Sequence, residues 1–314
     1  MVIGGELTMI EKIKSTAFVK ESYCLRILSK DDALFAVRTD KITTIAEKLA
    51  IKPEQITNSI DCIVDYNQFN ALTKLVKEIT QEGSCLHITI KNGGDYKLPF
   101  IDVEKMPDIP QHTGEVVERT FNFTDISKST LKSHLTNDQR HIYSIDKGIY
   151  ATNFLSAAKG KSMGDEEMLY PADILSDVIG TLKFSKDDTT VTISGPDYIL
   201  QTARPILEDP EQFQAIVALF DEEVTMVPAK DLQDQINRIA MFDEAVTFKG
   251  DQILSACGTE PSPIHTDEEL VFDTAALAPY LVDVKEVGIT SEGNLRLTNV
   301  RGVDYLVSRR TYEE

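Results

Sequence analysis

No apolar run in this sequence approaches the 18 or so residues that a membrane-spanning helix needs. The opening MVIGGELTMIEK lacks the basic start and long apolar stretch of a secretory signal, so a cytoplasmic protein is expected. Cysteine is scarce. Cys24, Cys62, Cys85 and Cys257 are scattered with no Cys-x-x-Cys pair, which argues against a disulfide framework and predicts buried free thiols on or beside strands. The five histidines, His87, His112, His134, His141 and His265, form no metal-binding spacing. His-Glu-x-x-His, Gly-x-Ser-x-Gly and Gly-x-Gly-x-x-Gly are all missing. Lys159 to Ser162 supplies the Gly-Lys-Ser end of a phosphate-binding loop, but position 155, where its first glycine belongs, is a leucine. Asp40, Asp65 and Asp173 suit turn and capping roles better than a carboxylate cluster. The expectation is a protein that is not an enzyme and uses no metal or cofactor. Positive charge is also short: 32 Lys and Arg stand against 51 Asp and Glu, leaving a net −19 that opposes general nucleic-acid binding.

What the sequence does carry is a repeat. A short apolar strand, a turn and an amphipathic helix of about a dozen residues recur five times. The copies open near Cys62, Phe121, Met168, Val224 and Leu270, at spacings of 59, 47, 56 and 46 residues. Long and short spacings alternate, so the copies pair into units of 102 to 106 residues, and three such units fill the 314 residues. A period of this kind implies that one module is stacked along the chain.

In CIVDYNQFNALTKLVKEI, residues Phe69, Leu72, Val76 and Ile79 are predicted on one helical face, with Asn70, Lys74 and Lys77 on the other. LYPADILSDVIGTL offers Ile174, Leu175, Val178, Ile179 and Leu182, with Pro171 at the helix start. VTMVPAKDLQDQINRIAMF places Leu232, Ile236 and Ile239 together. FNFTDISKSTLKSHL and LVFDTAALAPYLVDV complete the set, with Thr124 or Asp125 and Asp273 or Thr274 as N-caps, and Pro279 ending the last helix early. A sixth helix is expected from Met9 to Val19.

Short alternating strands follow each helix. Leu86, Ile88 and Ile90 lead through Asn92-Gly93-Gly94 to Tyr96, Leu98 and Phe100, and the stretches 188–203 and 287–310 repeat the alternation. The fold class expected is α+β, with three tandem domains of two strand-helix-three-strand halves each, divided at 1–113, 114–212 and 213–314.

The charges are uneven along the helices. The first three are net basic: Lys12, Lys14 and Lys20 against Glu11, Lys74 and Lys77 against Glu78, and Lys128, Lys132 and His134 against Asp125. The last three are near neutral or acidic.

This plan resembles the bacterial type of DNA polymerase sliding clamp. Arg38-Thr39-Asp40 is similar to the clamp's first-domain Ala-Thr-Asp step, and Asp95 to Pro110 to the segment closing that domain. Ile149 to Ala158 resembles the second-domain Ala-Thr-Asp-Gly stretch, with Asn153 and Phe154 in place of Asp and Gly. Tyr305 to Arg310 resembles the terminal Tyr-Leu-Val-Met strand, with Ser308 in place of an apolar residue. The chain is shorter than a usual bacterial clamp, as a diverged, viral member in a host cytoplasm would be.

The resemblance implies a closed ring of two head-to-tail subunits, with helices lining a hole that holds double-stranded DNA without reading its sequence. Lys12, Lys14, Lys74, Lys77, Lys128 and Lys132, with Arg140, Lys230 and Arg238, are the residues implied to face the duplex. It further implies that the polymerase and the clamp loader insert short peptides into an apolar pocket, matched here by Thr152, Leu155, Phe213, Leu306 and Ser308. Two readings stay open beside the dimeric ring: a two-domain clamp assembling as a trimer, and an acidic scaffold of clamp fold that does not encircle DNA.

Overall fold

The computed structural model describes residues 9–13, 19–103, 106–129, 141–145, 147–153, 155–163, 167–176, 178–204 and 210–310. The first strands are β1 (Cys24–Lys30), β2 (Ala33–Thr39), β3 (Thr43–Lys48), β4 (Asp61–Asp65), β5 (Val76–Glu82), β6 (Cys85–Ile90), β7 (Asp95–Pro99) and β8 (Val117–Asn122). Next come β9 (His141–Ile145), β10 (Gly148–Thr152), β11 (Ser156–Gly160), β12 (Met168–Pro171), β13 (Ile179–Lys186), β14 (Thr190–Ser194) and β15 (Tyr198–Ala203). The last are β16 (Val227–Pro228), β17 (Ala245–Ser255), β18 (Gly258–Asp273), β19 (Val284–Ile289), β20 (Leu295–Asn299) and β21 (Asp304–Val307). Among the described residues five α-helices accompany them: α1 (Tyr66–Thr73), α2 (Ala172–Leu175), α3 (Pro210–Leu219), α4 (Leu232–Ala240) and α5 (Thr274–Leu277).

The chain forms two compact units, Met1–Thr120 with Thr181–Arg204, and Phe121–Gly180 with Pro205–Glu314. The first holds an eight-stranded sheet in the order β4-β1-β2-β3-β15-β14-β13-β8 and a three-stranded sheet β5-β6-β7. The second holds an eight-stranded sheet β12-β9-β10-β11-β21-β20-β19-β16 and the β17-β18 pair.

The order of strands explains the repeat. The strand that opens each helix leaves its own half-module and pairs with the first strand of the neighbouring half: β4 with β1, β8 with β13, β12 with β9 and β16 with β19. In the same way Leu270 to Asp273, at the end of β18, pairs with Ala245 to Phe248 of β17. All five predicted copies are thus present as strands, and the exchange stitches halves together by backbone hydrogen bonds.

The helices are shorter than the periodicity predicts. The Asp65 carboxylate caps α1 by accepting from Gln68 N at 2.9 Å. The helix then stops at Thr73, whose hydroxyl bonds back to the carbonyls of Phe69 and Asn70. Val76 and Ile79 are buried, but from strand β5 rather than from the helix. A bulge between Val76 and Glu78 inserts one residue, so side chains three apart share a face and imitate a helical pattern. Similarly, the helix expected beyond Leu175 ends there, and β13 begins with Ile179, 66% exposed, and Gly180 at φ +125°. Of the helix expected from Met9 to Val19, residues 14–18 lie outside the described residues, and Ile10–Lys12 form one 3-10 turn. The backbone N–H groups of Met9 and Ile10 donate to the buried Glu47 carboxylate, each at 3.0 Å.

Two helices follow their sequence. In α4, Leu232, Ile236 and Ile239 are buried together with Gln235. Asp273 caps α5, accepting from Ala275 N and Ala276 N, and a 3-10 turn at Ala278–Tyr280 containing Pro279 ends it. Helix α3 was not anticipated. Its Phe213 and Val217, with Phe220 just beyond, pack on Tyr143, Tyr150, Ala157, Leu169 and Leu306 in one buried cluster. Burying one such aromatic ring contributes about 2–3 kcal/mol, enough to fix a short helix on the sheet.

The cysteines also depart from expectation. Cys24 and Cys62 are buried, and burial pushes the Cys62 thiol up to about 12. Cys85 is half-buried and Cys257 is exposed, because it occupies the tight turn between β17 and β18 instead of a strand.

Candidate nucleic-acid interface and partner site

Of the nine cations expected to face a duplex, Lys14, Lys132 and Arg140 lie outside the described residues. In the first unit, Lys12 is half-buried in the 3-10 turn, Lys74 is exposed at the end of α1, and Lys77 is exposed on β5, not on a helix as predicted. Asn70 on α1 donates to Glu11 Oε1 at 3.4 Å, which brings the turn of Lys12 beside the helix of Lys74. The exposed face of α1 is otherwise amide-rich, with Asn67 and Gln68 in water.

In the second unit Lys230 is exposed before α4 and Arg238 is exposed on it, paired with Glu260 at 2.9 Å. Lys128 is committed elsewhere. Its ammonium lies 3.0 Å from the carboxylate of Asp125, which is itself 2% exposed. Arg301 grips the same carboxylate with Nε at 2.5 Å and Nη2 at 2.9 Å, and Asn299 Nδ2 donates to it at 3.2 Å. Burial alone would raise the Asp125 pKa; the bonds from Arg301 and Lys128 outweigh it and hold the carboxyl below its ordinary value. Asp125, expected as an N-cap, is therefore the centre of a buried ion network.

The partner residues divide into a core pair and a rim. Phe213 and Leu306 meet in the aromatic cluster, 1% and 4% exposed. The Phe213 ring stands edge-on to Tyr143 with centroids 4.4 Å apart, and the Tyr143 hydroxyl donates to Glu167 at 2.5 Å. Leu155, in contrast, is 68% exposed, and its carbonyl accepts from the backbone of exposed Ser308 at 3.0 Å.

A turn presents Leu155. Asn153 Oδ1 accepts from Leu155 N, Ser156 N and Ser156 Oγ, while the Thr152 hydroxyl donates to Ser156 O. Asp40 does the same in the β2-β3 turn, accepting from Ile42 N and Thr43 N, with Thr39 Oγ1 donating to Thr43 O. The two Thr-Asx steps are thus one structural device used twice. Lys41, which follows Asp40, takes φ +76°, the region that glycine favours. The rim is anchored from below, since Tyr280 OH lies 2.5 Å from Ser156 Oγ and donates to the carbonyl of Lys128 at 3.2 Å.

A further feature escaped sequence reading. Met241 and Phe242, just past α4, are 74% and 71% exposed. Met241 falls opposite the Leu232-Ile236-Ile239 stripe, and that mismatch is the signal the sequence contained, whereas Phe242, three residues after Ile239, continues the apolar spacing.

Known proteins bear on this arrangement through structure alone. No protein-family model and no curated protein sequence matches the chain. The Helicobacter pylori β clamp bound to a DNA ligase peptide is similar to it at TM-score 0.74 and 13% identity, covering 98% of this chain and 96% of that one. The DNA polymerase III β subunit of Thermotoga maritima matches at TM-score 0.74 and 15% identity, with the same coverage. That of Borrelia burgdorferi, in complex with a natural product, matches at TM-score 0.72 and 15% identity, again over 98% and 96%. Near-complete coverage in both directions, together with the exchanged strands, establishes that this chain has the fold of the bacterial DNA polymerase III β clamp.

Proposed function

We propose that this chain is a DNA sliding clamp, a non-catalytic processivity factor that encircles duplex DNA and tethers a replicative polymerase. The observation that carries the proposal is the likeness to β clamps over 98% of the chain. The three domains are 1–113, 114–212 and 213–314, and two subunits join head to tail into a ring. Each eight-stranded sheet joins three strands from each of two half-modules to the opening strands of two others, while, among the described residues, β5-β6-β7 and β17-β18 are left with open edges. Strands with unpaired backbone groups are suited to continue into another chain, and closing a ring removes them. Met241 and Phe242, beside the start of β17, supply apolar surface for that contact. The ring reading is tested by native mass: light scattering should give twice the 35.0 kDa of the chain, and a persistent monomer would count against it.

Topology, not affinity, holds DNA in such a ring, so a net charge of −19 is no obstacle. Lys12, Lys74 and Lys77, with Lys14, Lys132 and Arg140, would soften repulsion from the phosphates. Replacing these six by Gln is expected to shorten retention on a primed circular template; unchanged retention would remove them from the interface.

A polymerase or a clamp loader docks a short peptide at the Leu155-Ser308 rim. Leu155→Asp is expected to weaken that docking at least tenfold, by the ~1.4 kcal/mol that one apolar anchor can supply, with stability nearly unchanged because the side chain is 68% exposed. Leu306→Asp should instead cost the fold itself, since it puts a charge into the aromatic cluster. Thermal unfolding separates the two. The acidic-scaffold reading has no observation in its favour beyond the net charge.

A further inference from the structure

The Arg238 side chain leaves α4 on its exposed face, where a helix lining the ring would meet phosphate, yet it is not left to solvent. Its Nε donates to Glu260 Oε1 at 2.9 Å, and the Glu260 side chain is 27% exposed against 54% for Arg238. The contact is built by the fold. Glu260 lies on β18 opposite Ile253 of β17, and the next residue, Pro261, accepts through its carbonyl from Gln235 Nε2 at 3.0 Å. Gln235 is on the buried face of α4, 6% exposed, so the start of β18 is tied to the same helix that carries Arg238. Asp234 stands one turn before Arg238 and Asp231 precedes the helix, adding negative charge around the guanidinium.

We propose that Glu260, held on α4 by the β17-β18 hairpin, competes with DNA phosphate for Arg238 and so limits how firmly this helix grips the duplex. The inference rests on the sliding-clamp reading. A guanidinium paired in place releases no counterion to a passing phosphate and cannot add to salt-sensitive affinity. A ring that must move along DNA benefits from this, because each firm phosphate contact has to be broken at every step.

Glu260→Gln tests the idea while keeping the shape and the acceptor oxygen. Binding to a short linear duplex of arbitrary sequence would be followed by fluorescence anisotropy at several salt concentrations. The variant should bind more tightly than the natural chain, and the slope of log K against log salt should steepen by about 0.9 for each Arg238 released. Arg238→Gln, which leaves the Glu260 carboxylate without its partner, should bind no more tightly than the natural chain, and the double substitution should lose the gain. An unchanged slope in Glu260→Gln, or a gain surviving in the double variant, would overturn the proposal. Near-identical thermal unfolding of the three variants checks that the fold is preserved. Failure of the natural chain to stay on circular DNA is a separate outcome, and would defeat the clamp reading instead.

Discussion

Phe242→Asp is expected to convert the assembled protein to a 35.0 kDa monomer. Phe242 and Met241 are adjacent, large and apolar, at 71% and 74% exposure. Large aromatic side chains at the centre of an interface commonly cost 2 kcal/mol or more when removed, and about 2 kcal/mol corresponds to a roughly 30-fold weaker dissociation constant. A carboxylate at that position adds the cost of burying an unpaired charge in the contact. The fold of the subunit should be spared, because a substitution at an exposed site usually moves stability by about 0.5 kcal/mol or less. Light scattering on a dilution series, with thermal unfolding alongside, reads both effects. A variant with the same mass as the natural protein would place the subunit contact elsewhere.

Asp125→Ala is expected to have the largest effect on stability. The carboxylate is buried and accepts from Arg301, Lys128 and Asn299 at once, so its removal leaves three donors facing an empty site. Breaking a buried ion pair costs about 3–5 kcal/mol, and the lower end applies here because Arg301 is 44% exposed and can turn towards water. The same group gives a pH dependence. Its folded pKa is depressed, so the stabilisation is fully present above the ordinary Asp value near 3.9 and is lost as pH falls through the lower folded value. Denaturant unfolding of the natural chain should therefore weaken with acidification more steeply than that of Asp125→Ala. Equal pH profiles would mean that Arg301 and Lys128 do not stabilise the charged form.

Much of the fold was legible because its repeat is written in strands, which alternate, and in turns, which have their own chemistry. Asn92-Gly93-Gly94 turns as expected, with Gly93 at φ +87°, and Gly293 and Gly302 turn the alternating stretch 287–310 at φ +79° and +75°. Asp65 and Asp273 cap helices as their positions suggested. Helix lengths were not legible. Val76 and Ile79 carry a helical spacing for a different reason, a bulge that resets a strand. Gly180 and the β-branched residues around it end the helical pattern after Leu175.

The candidate sites were legible only as positions. Charge counting by helix already set Lys128 against Asp125, three residues away, but the partner that Arg238 takes, Glu260, is 22 residues off and is fixed by tertiary structure. Likewise, Phe213 and Leu306 read as pocket residues and turned out to be packed against each other's neighbours in the core. Leu155 keeps its exposure because Asn153 folds the turn outward beneath it. The burial of Leu306 involves α3, a helix that the repeat does not contain.

A sliding clamp holds DNA by enclosing it. The direct measurement is retention on a nicked circular plasmid after loading, followed by gel filtration at moderate salt, with and without a single restriction cut. Co-elution with the circle and loss within minutes of linearisation is the predicted result. Retention that is equal on circular and linear DNA, or absent from both when loading is assisted by a polymerase's own clamp loader, would contradict it.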